Sequence, residues 1–368
     1  MTAPLPFMSL APGADRDDVR AAVERVIASG WFILGPELEA FEREFAQASG
    51  ARFAVGVGTG TDALALTLRA LQIGPGDEVI TTPLSAAFSG LAILMAGATP
   101  VFADIDPLRL TIDAAAVEAA VSTRTAAIMP VHLYGQPADL PALEAIARRH
   151  DLVIVEDACQ AHLASAAGRP VGSASAAAAF SFYPTKNLGA LGDGGAVVTN
   201  DPMLADRLRR LRNGGQTDRY RHREFGVNSR LDEMQAAILR ARLPYLSGWT
   251  DDRRRLAARY RSRLDGAAVE VPPECDPGHV YHLFPVLTSD RDRFQADLAA
   301  EGVGTLVHYP IPIPRQEAFA HLAAAPCPVA DRVASTVCSL PLHPGLAADD
   351  VDRVAGLVRG WRPPARGA

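Results

Sequence analysis

The sequence predicts an α/β protein: a large, mostly parallel mixed sheet covered by helices, followed by a smaller α+β domain. Short apolar segments typical of buried strands alternate with helical segments along the first two-thirds of the chain. Such alternation is typical of a mostly parallel sheet with helices on both faces. The 368 residues suffice for two domains, and a proline-rich segment at 271–278 precedes a region with its own strand signal. We therefore place a large domain at residues 1–244 and a small domain at residues 245–368.

The individual elements follow from the spacing of apolar residues. Leu38, Phe41 and Phe45 have helical spacing after Pro36, a residue favoured in the first turn of a helix. Short apolar runs bounded by turn residues predict buried strands. The predicted strands are Phe53–Val57, a strand after the turn at 74–77, Val101–Ala103, Ala126–Val131, Leu152–Val155 and Val280–Leu287. The further predicted helices are Thr61–Leu71, Leu140–Ile146, 231–243 and 251–264.

Composition and charge exclude several classes of protein. The formal net charge is −6 and the isoelectric point about 5.9, so no strong positive field attracts nucleic acid or an acidic membrane. Arginines cluster at 207–223 and 253–263, but acidic and apolar residues interleave with them, which favours solvated helix faces over a polyanion site. His279 and His282 lie in a predicted strand and would point to opposite faces, so no metal site is expected.

The sequence also favours a cytoplasmic protein without a membrane span. Four cysteines, none in a CxxC pair, are too few for a disulfide scaffold and fit a reducing cytoplasm. The N-terminus lacks the basic segment and the long apolar core of a signal peptide. The uncharged stretch Val79–Ala103 contains two prolines and two glycines, which favours a buried strand, loop and helix over a bilayer span.

A glycine-rich turn joins a predicted strand to a predicted helix at Val55–Asp62. Glycine lets the backbone approach a ligand closely, and the free N–H groups at a helix N-terminus bind phosphate. The spacing fits neither the dinucleotide motif GxGxxG nor the P-loop. On its own, this turn is either a phosphate site or a plain tight turn.

A carboxylate follows the predicted strand Leu152–Val155. Asp157 stands at the C-terminal end of that strand, where ligands bind in sheets of this kind. A buried carboxylate needs a partner because its isolated burial is costly. A protonated ring nitrogen is one candidate partner, and a helix N-cap or a salt bridge is the alternative.

Lys186 is the only lysine in the chain, and the other 35 basic residues are arginines. A primary amine forms a Schiff base, which a guanidinium group does not. Glycines at 189, 192, 194 and 195 allow close packing around a bulky group. The alternative interpretation is a surface lysine.

Asp157, Lys186 and the upstream turn together form an arrangement that binds pyridoxal phosphate (PLP). The lysine would form the Schiff base, and the aspartate would hold the pyridine nitrogen protonated. The glycine turn and the helix N-terminus would hold the phosphate. The three features therefore predict a PLP enzyme, although each has an alternative when taken alone.

Long stretches of the chain carry a resemblance to a known family. They include SGWFILGPELEAFEREFA, VGVGTGTDALAL, VIVEDACQAH, AFSFYPTKNLGALGDGGAVVTN, GVNSRLDEMQAAIL and HYPIPI, in this order between about Gly30 and Pro344. With these motifs the sequence resembles the DegT/DnrJ/StrS family of PLP-dependent sugar aminotransferases, which have fold type I. The resemblance implies an amino transfer from L-glutamate to a keto-deoxysugar linked to dTDP or UDP.

The resemblance also implies roles for particular residues. Lys186 would be the Schiff-base lysine and acid/base catalyst, and Asp157 would pair with the pyridine nitrogen. Asn228 would reach the cofactor phosphate of a neighbouring subunit, which implies a homodimer with shared active sites. The other implied cofactor-binding residues are Gly60, Thr61, Gln160 and Ser181.

The resemblance also implies residues in substrate binding, and two of them have alternative roles. Arg230 is a candidate for the donor carboxylate or the sugar-nucleotide diphosphate. His162 either lines the same pocket or is a core histidine. The remaining implied substrate residues are Trp31, Phe32, Tyr183, His308 and Tyr309.

The chain departs from the family pattern at two positions. Ala86 occupies a place where many members have an aromatic residue over the PLP ring, so Phe88 or another side chain covers the ring, or stacking is weak. Pro314 stands where many members have a histidine. The segment containing Asp193 is more similar to enzymes that aminate a 3-keto sugar than to the 4-keto enzymes.

Other functions remain as alternatives at this stage. A PLP-dependent sugar dehydratase or a cyclitol aminotransferase would use the same fold, although Lys186 argues against the dehydratase. A non-enzymatic regulator is disfavoured by Lys186, Asp157 and Gln160 together. A nicotinamide oxidoreductase built on the glycine turn lacks the GxGxxG spacing and leaves Lys186 without a role.

Overall fold

The computed structural model describes residues 4–11, 13–322 and 324–363. The α-helices of these residues are Arg16–Ser29 (α1), Pro36–Ala48 (α2), Gly60–Ala70 (α3), Phe88–Ala96 (α4), Ala114–Ala120 (α5), Leu140–His150 (α6), Pro202–Leu211 (α7), Glu233–Arg242 (α8), Leu246–Leu264 (α9), Arg291–Ala300 (α10), Pro328–Thr336 (α11) and Ala348–Gly360 (α12). The strands are Phe53–Val57 (β1), Glu78–Thr81 (β2), Thr99–Phe102 (β3), Thr125–Met129 (β4), Val153–Asp157 (β5), Ser165–Ala166 (β6), Arg169–Pro170 (β7), Ala177–Ser181 (β8), Gly195–Thr199 (β9), Gln216–Asp218 (β10), Arg221–His222 (β11), Phe284–Leu287 (β12) and Val337–Leu340 (β13).

Seven strands form the central sheet in the order β1-β9-β8-β5-β4-β2-β3. Strand β9 is antiparallel to both β1 and β8, whereas the remaining neighbours are parallel. The prediction of a mostly parallel mixed sheet is therefore confirmed. Because only β9 is reversed, the carboxyl ends of the other six strands share one edge, where ligands bind in such sheets.

Helices cover both faces of this sheet. Along β8, Ala177 and Ala179 belong to one buried cluster, while Ala178 and Phe180 belong to another. Helix α3 contributes to the first cluster, and helix α2 contributes Phe41 and Phe45 to the second. This alternation is the two-residue period of a strand that is buried on both sides.

A second core lies in the C-terminal part of the chain. Tyr260 of α9, Phe284 of β12 and Val354 of α12 are buried in one cluster, beside the antiparallel pair β12–β13. The N-terminal segment joins this region, since Leu5 pairs with Val303. We keep the domain division near residue 245 as a proposal. No helix among residues 4–11, 13–322 and 324–363 is long and apolar enough to cross a membrane.

Candidate active site

A cavity of about 580 Å³ lies beyond the carboxyl edge of the central sheet. It is lined by residues from the start of α3, the ends of β5 and β8, the turn after β8, and the segment before residue 310. The structure thus brings together residues that are far apart in the sequence. The predicted site residues on its wall are Gly60, Thr61, Asp157, Gln160, Ser181, Tyr183, Lys186, His308 and Tyr309.

The glycine turn forms a cradle at the N-terminus of α3. The Thr59 side chain caps the helix by accepting a hydrogen bond from the Asp62 backbone N–H at 3.0 Å. A Cβ added to Gly60 would lie 2.8 Å from both Cys159 Sγ and Ser181 Cβ, so this position requires glycine. The first-turn N–H groups and the Ser181 hydroxyl lie on the same wall of the cavity, which suits a phosphate.

Asp157 is the last residue of β5 and is buried at 5% exposure. Its Oδ2 accepts a hydrogen bond from Ser89 Oγ at 2.7 Å, and its Oδ1 accepts one from the Cys159 backbone N–H at 3.1 Å. These donors hold the carboxylate in one orientation on the cavity wall. The arrangement can present negative charge to a protonated ring nitrogen.

Lys186 lies in a tight turn that follows β8. Its backbone N–H donates to the Tyr183 carbonyl at 2.8 Å, and a Cβ on Gly189 would lie 2.5 Å from the Pro184 carbonyl oxygen. Burial lowers the pKa of the Lys186 amine, while Cys159 and Asp157 act in the opposite direction. A lowered pKa favours the neutral amine, which is the nucleophilic form.

Gln160 connects the two sides of the cavity. Its Oε1 accepts the Tyr134 backbone N–H at 2.7 Å, so its amide nitrogen points the other way and donates to Tyr309 Oη at 3.1 Å. Burial raises the pKa of Tyr309 to about 12. Burial, with a smaller effect of the Lys186 charge, lowers the pKa of His308 to about 4. Both side chains are thus neutral around pH 7.

Several predicted residues lie away from this cavity wall. Trp31 and Phe32 are exposed at 56% and 51%. Asn228 is also exposed, and Arg230 Nη1 donates to Asn213 Oδ1 at 3.1 Å. His162 is fully buried, with Phe45, Phe180 and Phe182 around its ring. Of the two predicted alternatives for His162, its surroundings favour the core histidine.

The sequence does not indicate the contact between Ser89 and Asp157. This residue lies in the first turn of α4 and is 1% exposed. Only the tertiary position of α4 brings its hydroxyl to Asp157, and no local motif indicates that contact. Ala86 and Phe88 both line the cavity, so the small side chain at 86 leaves space beside an aromatic ring that is 61% exposed.

The residues present fit PLP. A Cβ at Gly60 would meet Cys159 and Ser181, so this part of the lining accepts no larger residue, and the buried Asp157 carboxylate and the half-buried Lys186 line the same cavity. PLP requires these three groups: an anion cradle, a partner for the pyridine nitrogen and a primary amine. The fit therefore rests on geometry as well as on motif.

Comparison with known proteins gives a consistent result. The DegT/DnrJ/EryC1/StrS aminotransferase family matches residues 14–359. A dTDP-3-amino-3,4,6-trideoxy-alpha-D-glucose transaminase of Streptomyces venezuelae is 49% identical, over 97% of this chain and 96% of that protein. A UDP-N-acetyl-3-dehydro-alpha-D-glucosamine 3-aminotransferase of Acidithiobacillus ferrooxidans is 46% identical, over 94% of both chains.

Among solved structures, the chain is similar to DesV of S. venezuelae in complex with a ketimine intermediate. The TM-score is 0.95 at 50% sequence identity, and the match covers 98% of this chain and 99% of that one. The likeness therefore extends over the central sheet, the C-terminal region and the cavity between them.

Proposed function

The chain belongs to the DegT/DnrJ/EryC1/StrS aminotransferase family, and we propose that it transfers an amino group from L-glutamate to the 3-keto group of a deoxysugar linked to dTDP or UDP. As a member of this family it is a PLP-dependent aminotransferase. The relatives that aminate C3 of sugar nucleotides support the choice of acceptor. The single observation that carries the proposal is that Lys186 and Asp157 line one cavity, where burial lowers the pKa of the Lys186 amine.

PLP supplies an aldehyde carbon that binds amines covalently and a ring that withdraws electrons. Lys186 would hold the cofactor through its Nζ, and the same nitrogen would accept the proton that leaves the donor's Cα. The lowered pKa of Lys186 suits this role, because the neutral amine accepts a proton readily. When the keto sugar is aminated, the same nitrogen would donate a proton to the carbon that receives the amino group.

The other cofactor contacts are assigned to the chain's own groups. Asp157 holds the pyridine nitrogen in its protonated state, with Ser89 and the Cys159 N–H fixing the carboxylate. Gly60, Thr61 and Ser181 bind the phosphate at the start of α3. Gln160 binds the ring's 3-hydroxyl group. Phe88, which lines the same cavity as Ala86, would contact the ring.

The functional unit in this proposal is a cytoplasmic homodimer with shared active sites. Asn228, Trp31 and Phe32 are exposed on a single chain, which suits contacts with a second copy. Asn228 then binds the cofactor phosphate of the partner, and Arg230 binds the donor carboxylate or the diphosphate. In the acceptor site, Tyr183, His308 and Tyr309 contact the sugar nucleotide.

A product analysis tests this proposal. The purified protein with PLP and L-glutamate is given matched 3-keto and 4-keto dTDP-sugars and their UDP counterparts, and the products are identified by mass spectrometry and NMR. We expect a 3-amino sugar nucleotide and an equal amount of 2-oxoglutarate. Amination at C4 alone, or loss of water without amine incorporation, would contradict the proposal.

A further inference from the structure

We infer that Tyr134 is a positioning residue for the sugar-binding side of the cavity, although the residues lining that cavity in the described structure do not include it. The inference rests on the proposed function, because it concerns the residues assigned there to the acceptor. Tyr134 is 2% exposed and lies between the end of β4 and helix α6. It connects the segment that contains His308 and Tyr309 to the turn after β5, which contains Gln160.

Tyr134 contacts both sides through different groups. Its backbone N–H donates to Gln160 Oε1 at 2.7 Å, which sets the direction of the Gln160 amide. Its side-chain hydroxyl donates to the backbone carbonyl of His308. Gln160 donates in turn to Tyr309 Oη at 3.1 Å. Tyr134 therefore holds His308 directly and Tyr309 through Gln160.

The opposite side of this segment is held by the C-terminal core. Leu306 pairs with Ser339 of β13, and Ser339 Oγ is 3.0 Å from His308 Nδ1. The segment 306–309 therefore spans from β13 to the carboxyl edge of the central sheet. On the sheet side, the Tyr134 hydroxyl binds the main chain of this segment, whereas Gln160 binds the side chain of Tyr309.

The backbone of Tyr134 is unusual for a bulky residue. Its φ is +61°, in the left-handed region that residues with a Cβ rarely adopt. Hydrogen bonds on both sides fix this conformation, since Leu283 N–H donates to the Tyr134 carbonyl at 3.3 Å and Gly135 N–H donates to the His132 carbonyl at 3.3 Å. Such strained positions cluster at ligand sites, where they hold a side chain in one direction.

The substitution Tyr134→Phe separates the two contacts. Phenylalanine keeps the ring and the backbone N–H, so the Gln160 amide stays oriented, and only the bond to the His308 carbonyl is lost. Loss of one buried hydrogen bond corresponds to about a 3- to 10-fold effect. We expect KM for the keto sugar nucleotide to rise about 3- to 10-fold, with PLP affinity and the half-reaction with L-glutamate little changed.

Tyr260→Phe is the matched control. Tyr260 is fully buried and its hydroxyl donates to the Pro341 carbonyl at 3.1 Å, but it packs on Phe284 in the C-terminal core away from the cavity. Thermal unfolding verifies that both variants fold. We expect Tyr260→Phe to lose stability with an unchanged KM for the acceptor.

The acceptor KM values of the two variants test the inference. An unchanged acceptor KM in Tyr134→Phe, or equal slowing of the donor and acceptor half-reactions, would overturn the inference. The same KM increase in Tyr260→Phe would also overturn it, because the effect would then follow from stability. A wild-type protein that neither binds nor aminates any sugar nucleotide would overturn the proposed function and, with it, the inference.

Discussion

Lys186 combines a catalytic requirement with a cost to folding. The proposed chemistry needs a neutral primary amine in a buried cavity, and burial lowers the pKa of that amine. In the unfolded chain the same lysine has its ordinary pKa of about 10.4. Between the two pKa values the unfolded chain binds a proton that the folded chain lacks, so the free energy of unfolding rises with pH.

Lys186→Met in the cofactor-free protein tests this effect. Methionine has similar length and no charge, so the variant lacks the pH-dependent cost. We expect it to be more stable than the wild-type protein at neutral pH, with the difference shrinking as the pH rises toward the ordinary lysine pKa. Urea unfolding at several pH values measures this difference, and a constant or widening gap would contradict the explanation.

Ser89 gives a second prediction at the scale of single residues. Ser89→Ala removes a hydrogen bond to the Asp157 carboxylate, and such bonds to charged groups contribute roughly 1.5–3 kcal/mol. We expect PLP to bind about 10- to 100-fold more weakly. Ser85→Ala is the control, because Ser85 Oγ lies 3.3 Å from Ser89 Oγ and belongs to the outer end of this chain of hydroxyls. Equal effects in a PLP titration of the two variants would count against a role for Ser89.

The residues to which we assign chemistry differ in how far the sequence predicts them. Lys186, Asp157 and Gly60 stand in recognisable local motifs, and the structure places all three on one cavity wall. Ser89 reaches Asp157 across 68 positions of sequence, and Tyr134 reaches His308 across 174. These contacts come from tertiary packing, which no local pattern in one sequence describes.

At the scale of elements, the N-terminus of α3 requires a residue without a side chain at position 60. We expect Gly60→Ala to weaken PLP binding at least about tenfold and to destabilise the fold by about 1–3 kcal/mol, because the new Cβ meets Cys159 and Ser181 at 2.8 Å. Gly248→Ala in α9 is the control, since a Cβ there meets nothing within 4 Å and alanine favours helix by about 1 kcal/mol. Isothermal titration and urea unfolding check both effects, and retained PLP affinity in Gly60→Ala would contradict the cradle.

Apolar spacing predicts some elements well and others poorly, for physical reasons. Strand β1 is observed at its predicted bounds, and α3 is shifted by one residue. Strand β8 begins Ala177-Ala-Ala, and alanine has a low strand propensity, so the sequence alone does not indicate it. Strand β3 includes Pro100 and lies at the sheet edge, where proline is tolerated, so it begins earlier than predicted.

At the scale of the whole molecule, shared active sites make a testable claim about subunits. Lys186→Ala and Asn228→Ala chains are co-expressed with different tags, and the mixed dimers are purified. If Asn228 serves the partner's site, each mixed dimer contains one site with both native residues. We expect about half of the wild-type activity in mixed dimers, against near-complete loss in the Lys186→Ala homodimer.

Mixed dimers no more active than the average of the two homodimers would contradict the shared site. A monomer in analytical ultracentrifugation would contradict the dimer itself.

Contacts between distant parts of the chain, or between chains, are the features that local sequence predicts least well. The pairing of Leu5 with Val303, which brings the N-terminal segment onto the C-terminal core, is an example within one chain.

The central claim is that this chain accepts an amino group from L-glutamate through PLP bound at Lys186. The most direct measurement is the visible absorption of the purified, PLP-loaded protein before and after addition of L-glutamate. The account predicts that the band of the bound cofactor disappears as one equivalent of 2-oxoglutarate forms per active site, and that Lys186→Ala shows no such turnover. A band that is unaffected by L-glutamate, or one that disappears equally in Lys186→Ala with continued turnover, would contradict it.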